Sequence, residues 1–321
     1  MKIENYKLEQ LKKIIQNSET IALAAHIRPD GDALGSVLSF SAALKQLDKS
    51  VVPIKNSEIG QYLNFLPNLD LLTEDYIDEK VDLFIVLDCS ELDRIADAKV
   101  VFEKAKNTVV IDHHVKGNIK GDLNIIDENA SSTCQLVYEI IKYLNLEFTN
   151  DISSLLFTGI VTDTGRFMFD NVDFNTHLIA ADLLKNGANQ QYIFNKLYQN
   201  KKIEQLQMES YILQKTKYYN DKIAFVYISD EDVNKFNLEL SDTDSIVNIL
   251  RDLEPVEVSI VMKKYSDDEY KISMRSKNFI DVSEIARSNG GGGHIRAAGF
   301  SIYANKEEAF KKIEKIIEEI K

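Results

Sequence analysis

The chain reads as an α/β protein in two parts, a parallel-sheet domain followed by a smaller α/β domain, joined by a helical connector. Three observations lead there. Its 321 residues exceed the size at which one hydrophobic core usually keeps growing. Through the first half, short and almost wholly apolar segments alternate with stretches of helical periodicity, the pattern of a parallel sheet covered on both faces. Past residue 222 the pattern changes to longer strands separated by a few helices.

Residues 1–18 make an amphipathic helix with Leu8, Leu11, Ile14 and Ile15 on one face. An apolar run at 20–26 is a strand that ends in a polar loop, and 34–47 is a helix. Strands follow at 51–54, at 82–88 (DLFIVLD) and at 108–112 (TVVID), then a helix at 132–144. The stretch 151–218 is helical, with helices at 152–162, 175–185, 190–197 and 203–218. The second sheet takes strands at 222–228 (KIAFVYI), 257–265 (EVSIVMKKY) and 270–276 (YKISMRS), with helices near 243–252, 281–288 and 305–320. The expected boundaries are 1–186 for the first domain, 187–218 for the connector and 219–321 for the second.

The composition is that of an ordinary globular protein, 44% hydrophobic and 28% charged. A net charge of −13 argues against a protein that coats long nucleic acid, whose affinity comes from cations on phosphates. Short anionic substrates remain compatible, because bound divalent ions supply positive charge locally. Cys89 and Cys134 form no C-x-x-C pattern, so they are expected as reduced thiols. With no membrane-length apolar run, the expectation is a cytoplasmic protein without membrane contact. A homodimer is compatible with this reading.

The acids and histidines fall where strands end. His26, Asp30 and Asp32 follow the first strand, Asp88 ends the DLFIVLD strand, Asp112-His113-His114 end the TVVID strand, and Asp163 sits in GIVTDTGRF. Alone, an acid at a strand end is a turn or cap residue. Together, carboxylates mixed with imidazoles and no thiolate suit hard divalent ions, Mn²⁺ before Mg²⁺ or Co²⁺, and zinc less well. So many donors are too many for one ion that keeps open positions. They suit a pair of ions sharing a carboxylate, an arrangement for hydrolysis at phosphorus.

A second constellation is the run Gly290 to Gly293 followed by His294 and Arg296. Glycines let backbone N–H groups approach an anion as a nest, and the plain alternative is a flexible turn. Arg275, Ser276 and Lys277 end a nearby strand, and the region is locally basic, so phosphate or nucleotide capture is the better reading.

The motifs HIRPDGDALGS (26–36), LDCS (87–90), DHH (112–114), GIVTDTGRF (159–167) and GGGHIRAAG (291–299) resemble, in order and spacing, those of DHH/DHHA1 phosphoesterases. The resemblance implies that His26, Asp30 and Asp88 hold one Mn²⁺, and Asp32, Asp88, His113 and Asp163 the other, with Asp88 bridging. It also implies that His114 contacts the scissile phosphate and Asp112 orients a ligand. Arg275, Ser276, Lys277, Gly291, Gly292, Gly293 and His294 would hold the nucleotide. In length the chain is similar to stand-alone members that cut very short oligoribonucleotides to mononucleotides and 3′-phosphoadenosine 5′-phosphate (pAp) to AMP. The alternative is cleavage of cyclic di-AMP or its linear product pApA. An inorganic pyrophosphatase would not need the carboxy-terminal glycine run, and a non-catalytic nucleotide-binding protein would not need the full ligand set. His177 is expected to be a surface or packing residue, Cys89 small filler beside the site, and Arg166 an open case near Asp163.

Overall fold

The computed structural model describes residues 3–74, 81–114 and 117–320, so Met1 and Lys2 of the expected first helix lie outside it. The chain forms two compact units, Met1–Asn200 and Lys201–Lys321.

The first unit runs α1 (Asn5–Gln16), β1 (Thr20–Ala24), α2 (Gly31–Lys45), β2 (Ser50–Pro53), β3 (Leu83–Leu87), α3 (Ala98–Lys104), β4 (Asn107–Asp112), β5 (Leu123–Ile126), α4 (Thr133–Tyr143), α5 (Asn150–Asp163), α6 (Phe174–Lys185) and α7 (Gln190–Tyr198). Its five strands lie in the order β2-β1-β3-β4-β5, every pair parallel. Alternation along the strands feeds two cores. Leu83, Ile85 and Leu87 of β3 pack with Leu11, Phe40 and Phe157 of the helices on one face, while Phe84 and Val86 pack with Val101 and Phe102 of α3 on the other. Both faces are therefore covered, as the apolar strands require. Strand β5 and helix α3 were not foreseen. They are an edge strand of four residues and a helix of seven, too short to show a period.

The second unit runs α8 (Ile203–Lys215), β6 (Lys217–Tyr219), β7 (Ile223–Ile228), α9 (Asp230–Asn234), α10 (Ile246–Arg251), β8 (Val258–Ser266), β9 (Glu269–Ser276), α11 (Val282–Ser288), β10 (Gly292–His294), β11 (Ala297–Tyr303) and α12 (Lys306–Ile320). The sheet order is β10-β11-β9-β8-β7-β6, with β7 and β8 parallel and the other pairs antiparallel. On one face Ile272, Met274 and Phe300 pack against Val282, Ile313 and Ile317 of α11 and α12. On the other, Val226 and Val261 pack against Met208, Ile212 and Leu250 of α8 and α10.

Two expectations need correction. The helix at 203–218 stops at Lys215, because 217–219 pairs as a strand with β7. The stretch 187–218 is shared out between the units: Ile193 of α7 is buried in the core of the first, and Met208 and Ile212 of α8 in that of the second.

Candidate active site

Three neighbouring strands, β1, β3 and β4, deliver the acids and imidazoles at their carboxyl ends, the edge where parallel sheets gather functional groups. Asp30 caps α2, its Oδ1 accepting from the N–H groups of Asp32 and Ala33, both at 3.0 Å. Asp32, 1% exposed, lies in the first turn of α2 and reaches the start of α4. Its Oδ2 accepts from the Thr133 N–H at 2.7 Å and its Oδ1 from the Cys134 N–H at 2.8 Å. Helix amino termini favour such a carboxylate. A Cβ on Gly159 of α5 would stand 2.9 Å from Asp32 Oδ1 and 2.3 Å from Cys134 Sγ, so the glycine is what lets α5 close on the site.

Asp88 follows β3 in a left-handed conformation, φ +52°, which a non-glycine residue adopts at a cost. That backbone carries the carboxylate into the middle of the cluster. Its Oδ2 lies 3.6 Å from His26 Nε2, and its Oδ1 lies 3.7 Å from His113 Nε2 and 3.5 Å from His114 Nδ1. The Thr133 hydroxyl donates to Oδ1 at 3.1 Å. His113 Nε2 is also 3.8 Å from Asp32 Oδ2 and 3.4 Å from Asp163 Oδ2.

The tautomers follow from the partners. Nδ1 of His26 is 2.9 Å from the Ile27 carbonyl and Nδ1 of His113 is 3.2 Å from the Ala130 carbonyl. A carbonyl only accepts, so each Nδ1 carries a proton, and each Nε2, which faces carboxylates, takes either a second proton or a cation. Lone pairs and carboxylates at 3.4–3.8 Å repel unless a cation stands between them. Asp163 Oδ2 is buried with no hydrogen-bond partner among the described residues. Besides Asp88–Asp112–His114, the donors form the sets His26–Asp30–Asp88 and Asp32–His113–Asp163, the atoms of each within 4.8 Å of one another. Cis ligands of an octahedral ion at ~2.1 Å stand roughly 3 Å apart and trans ligands roughly 4 Å, so both sets fit divalent cations.

Electrostatics agree. Burial, with Asp88 next to it, pushes the Asp32 carboxyl up to about 7. Burial, with Asp32, Asp30 and Asp88 close by, puts Asp163 well above the usual carboxylate range. For Asp88 burial is outweighed by the imidazoles of His26, His114 and His113, which hold it far below that range. Burial lowers His114, but the hydrogen bond to Asp112 and the charges of Asp88 and Asp112 raise it to about 9. The cluster holds more negative charge than its imidazoles balance, and without a cation it keeps protons instead.

Asp112 orients His114. Its Oδ1 accepts from the His114 ring at 2.8 Å and from the N–H groups of His113 and His114 at 2.8 and 3.2 Å. The ring of His113 is set by the Ala130 carbonyl instead, a partner that the sequence did not disclose. The Asp32 bonds to Thr133 and Cys134, 101 and 102 residues away, were also missed. The only local signal there was Ser132 followed by Gln135, the spacing of a capping box. Cys89 donates to the Glu91 carbonyl at 3.1 Å, and burial pushes its thiol up to about 12, so it fills space as a thiol. His177 is exposed and stacks on Phe167, while Arg166 sits over the Tyr198 ring, 5.0 Å from its centroid.

The second unit holds its own candidate site. Arg275 on β9 pairs with Ala297 on β11, which pairs with His294 on β10. Gly299 lies between Ser273 and Gly292 in the same way. Paired residues share a sheet face, so Arg275 and His294 stand about 10 Å apart, two strand spacings, on either side of small residues. This end of the face, continuous through the Ser273–Val261 pair with the one that carries Val261, is a shallow tray whose residues belong to neither core and are half-buried or exposed.

The glycine run is largely not the expected nest. The Gly290 and Gly291 N–H groups donate to Arg287 and Ala286 carbonyls and end α11, and Gly292 begins an edge strand. A Cβ on Gly293 would come within 2.4 Å of the Ala297 carbonyl, whereas one on Gly292 would meet nothing within 4 Å. Lys277 is a strut: its ammonium donates to the Leu253 carbonyl at 2.6 Å. Ser276 is buried and donates its N–H to the Arg296 carbonyl at 3.1 Å. Burial, with Arg251 adjacent, lowers the Arg275 guanidinium to about 10.

Comparison with known proteins decides the kinship. The DHH family, N-terminal domain, matches residues 20–160, and the DHHA1 domain matches 220–319. The chain belongs to the DHH family. Among DHH relatives, the bifunctional oligoribonuclease and PAP phosphatase NrnA of Bacillus subtilis is 29% identical over 300 residues, covering 92% of this chain and 93% of that protein. The protein of the same name from Thermus thermophilus is 29% identical over 301 residues, covering 93% and 89%. The crystal structure of an exopolyphosphatase-related protein from Bacteroides fragilis superposes with a TM-score of 0.91 at 27% identity, covering 99% of this chain and 97% of that one. RecJ from Thermus thermophilus in complex with Mn²⁺ shares the fold, with a TM-score of 0.55 at 15% identity over 97% of this chain and 53% of that one.

Proposed function

We propose that the chain is a metal-dependent phosphoesterase that hydrolyses very short oligoribonucleotides to mononucleotides and pAp to AMP. The observation that carries this is the pair of carboxylate–imidazole sets His26–Asp30–Asp88 and Asp32–His113–Asp163, adjoining where Asp88 Oδ1 stands 3.7 Å from His113 Nε2, which suit two divalent cations, Mn²⁺ first by donor chemistry. When bound, the ions supply Lewis-acid activation of water and of the phosphoryl group. The chain's own residues do the rest. His26, Asp30 and Asp88 would hold one ion, and Asp32, Asp88, His113 and Asp163 the other. His114, fixed by Asp112, would present its remaining nitrogen to a phosphoryl oxygen. Arg275, His294 and the bare backbone of Gly292 grip a nucleotide phosphate on the tray.

The relatives' names support this substrate class, and the match to a DHHA1 domain beyond the metal-binding part supports a substrate larger than pyrophosphate. The test is turnover with Mn²⁺ of a diribonucleotide, pAp, pApA, cyclic di-AMP and pyrophosphate. Expected is release of mononucleotides from the diribonucleotide and AMP from pAp, abolished in Asp88→Ala. Turnover confined to cyclic di-AMP and pApA, or to pyrophosphate, overturns the assignment, and full activity in Asp88→Ala overturns the metal site.

A further inference from the structure

Between β9 and α11 the loop at 277–281 is held from two sides. The Glu257 carboxylate, 5% exposed, accepts from the backbone N–H groups of Asn278 at 3.0 Å, Phe279 at 2.8 Å and Ile280 at 3.2 Å, and from the Asn278 side chain at 3.1 Å. Burial pushes this carboxyl up, but the N–H bonds outweigh it and hold it below its ordinary value. From the other side the Arg296 guanidinium donates to the Ile280 carbonyl at 2.8 Å and to that of Asn278. Burying a carboxylate to immobilise three residues is a costly arrangement, tolerated only because every bond is made.

What the loop presents is Phe279, 67% exposed. Exposed apolar residues are common, so exposure alone says nothing. Phe279 differs in two respects. Its backbone is fixed on both sides, so the ring is presented with little conformational freedom to lose. Its loop lies against the tip of the β10–β11 hairpin, because Arg296 bonds the Ile280 and Asn278 carbonyls and Ile295 accepts from Val282, and these two turn residues sit between His294 and Ala297 of the Arg275–Ala297–His294 line. Ile295, 51% exposed at the tip of the β10–β11 hairpin, accepts the Val282 N–H and extends the apolar surface there.

We propose that Phe279 is a stacking platform for the base of the nucleotide whose phosphate lies at Arg275 and His294. This rests on the nucleotide reading above and deepens it. A phenyl ring offers a face and no hydrogen-bonding group, so the platform demands a base without choosing which one, as degradation of mixed short oligonucleotides requires.

The test is steady-state kinetics of the full-length protein with 5′-phosphorylated diadenylate and with analogues that carry an abasic ribose at either position. Phe279→Ala is expected to raise KM for diadenylate roughly five- to a hundred-fold, the range of one base–aromatic stack, with kcat within about twofold. Phe279→Trp should restore KM, and at least one abasic analogue should be indifferent to both variants. In EDTA, a dinucleotide carrying 2-aminopurine should be quenched by the wild type and not by Phe279→Ala. An unchanged KM for diadenylate, or an equal loss with every abasic analogue, overturns the platform. A wild-type protein that hydrolyses no dinucleotide overturns the proposed function instead, and the quenching in EDTA then still decides whether Phe279 stacks on a base.

Discussion

At the scale of single residues, the proposed site divides into groups that would face the reaction and groups that aim them. Asp112 belongs to the second kind. Asp112→Asn should leave the bound metal near two ions by elemental analysis, since His113 is set by Ala130, yet lower kcat roughly 10- to 100-fold, the usual cost of losing an orienting partner. In the metal-free variant the His114 titration, followed by NMR, should move down from about 9 toward the ordinary histidine value. A second prediction follows from the raised carboxyl groups. With a folded value of about 7 against 3.8 in the unfolded chain, Asp32 favours the metal-free fold only while it is protonated, so its contribution falls as pH rises through that window. His114, raised to about 9 from 6.5, contributes stability below its unfolded value that is lost between the two. Divalent ions replace those protons. The rise in melting temperature on adding Mn²⁺ at one fixed concentration, about 100 times its Kd at pH 9, should therefore grow from pH 5 to pH 9, reaching about 5–10 °C, and vanish with EDTA. A shift that shrinks with pH would contradict the charge balance described for the site. The strand-end acids and histidines were legible one by one, because a carboxylate after an apolar run is visible in the sequence. The left-handed backbone of Asp88 and the capture of Asp32 by amides 101 and 102 residues away were not, since nothing local encodes them.

Elements were legible in proportion to their length and the strength of their pattern. The apolar strands β1, β3 and β4 and the long helices α5 and α12 announce themselves, whereas α3 and β5 are shorter than any period they could show. The end of α8 was misplaced because pairing with β7, a tertiary event, overrides local helix preference. The glycine run illustrates how one motif carries separate jobs. Gly293→Ala meets the Ala297 carbonyl at 2.4 Å with φ +138°, and should destabilise the second unit by about 1–3 kcal/mol in denaturant unfolding. Gly292→Ala should leave stability within about 0.5 kcal/mol and yet raise KM for short oligonucleotides, because its missing side chain clears the tray rather than the fold. Equal stability loss in both variants would return Gly292 to a structural role.

For the whole molecule, the two compact units make a prediction about where the chain can be cut. A fragment of residues 1–200 keeps Ile193, 1% exposed, together with Phe194, Leu197 and Tyr198 of α7 against the first core. A fragment of 1–186 loses them all, and truncating even one buried aliphatic side chain costs about 2–5 kcal/mol. The longer fragment should melt cooperatively and bind divalent ions, while the shorter melts at least about 5 °C lower. Equal melting temperatures would place the boundary before α7. The whole chain carries a net charge of −13, which agrees with the proposed substrate of a few nucleotides, since so short an anion needs no basic channel.

The sheet order has a consequence in time. The donors come from β1, β3 and β4, which pair in parallel across long stretches of chain, and from Asp163 at the end of α5. No short turn can nucleate such pairings, so these groups meet only after most of the unit has formed. Divalent ions should therefore leave the refolding rate nearly unchanged and slow unfolding instead, acting as a latch that closes late.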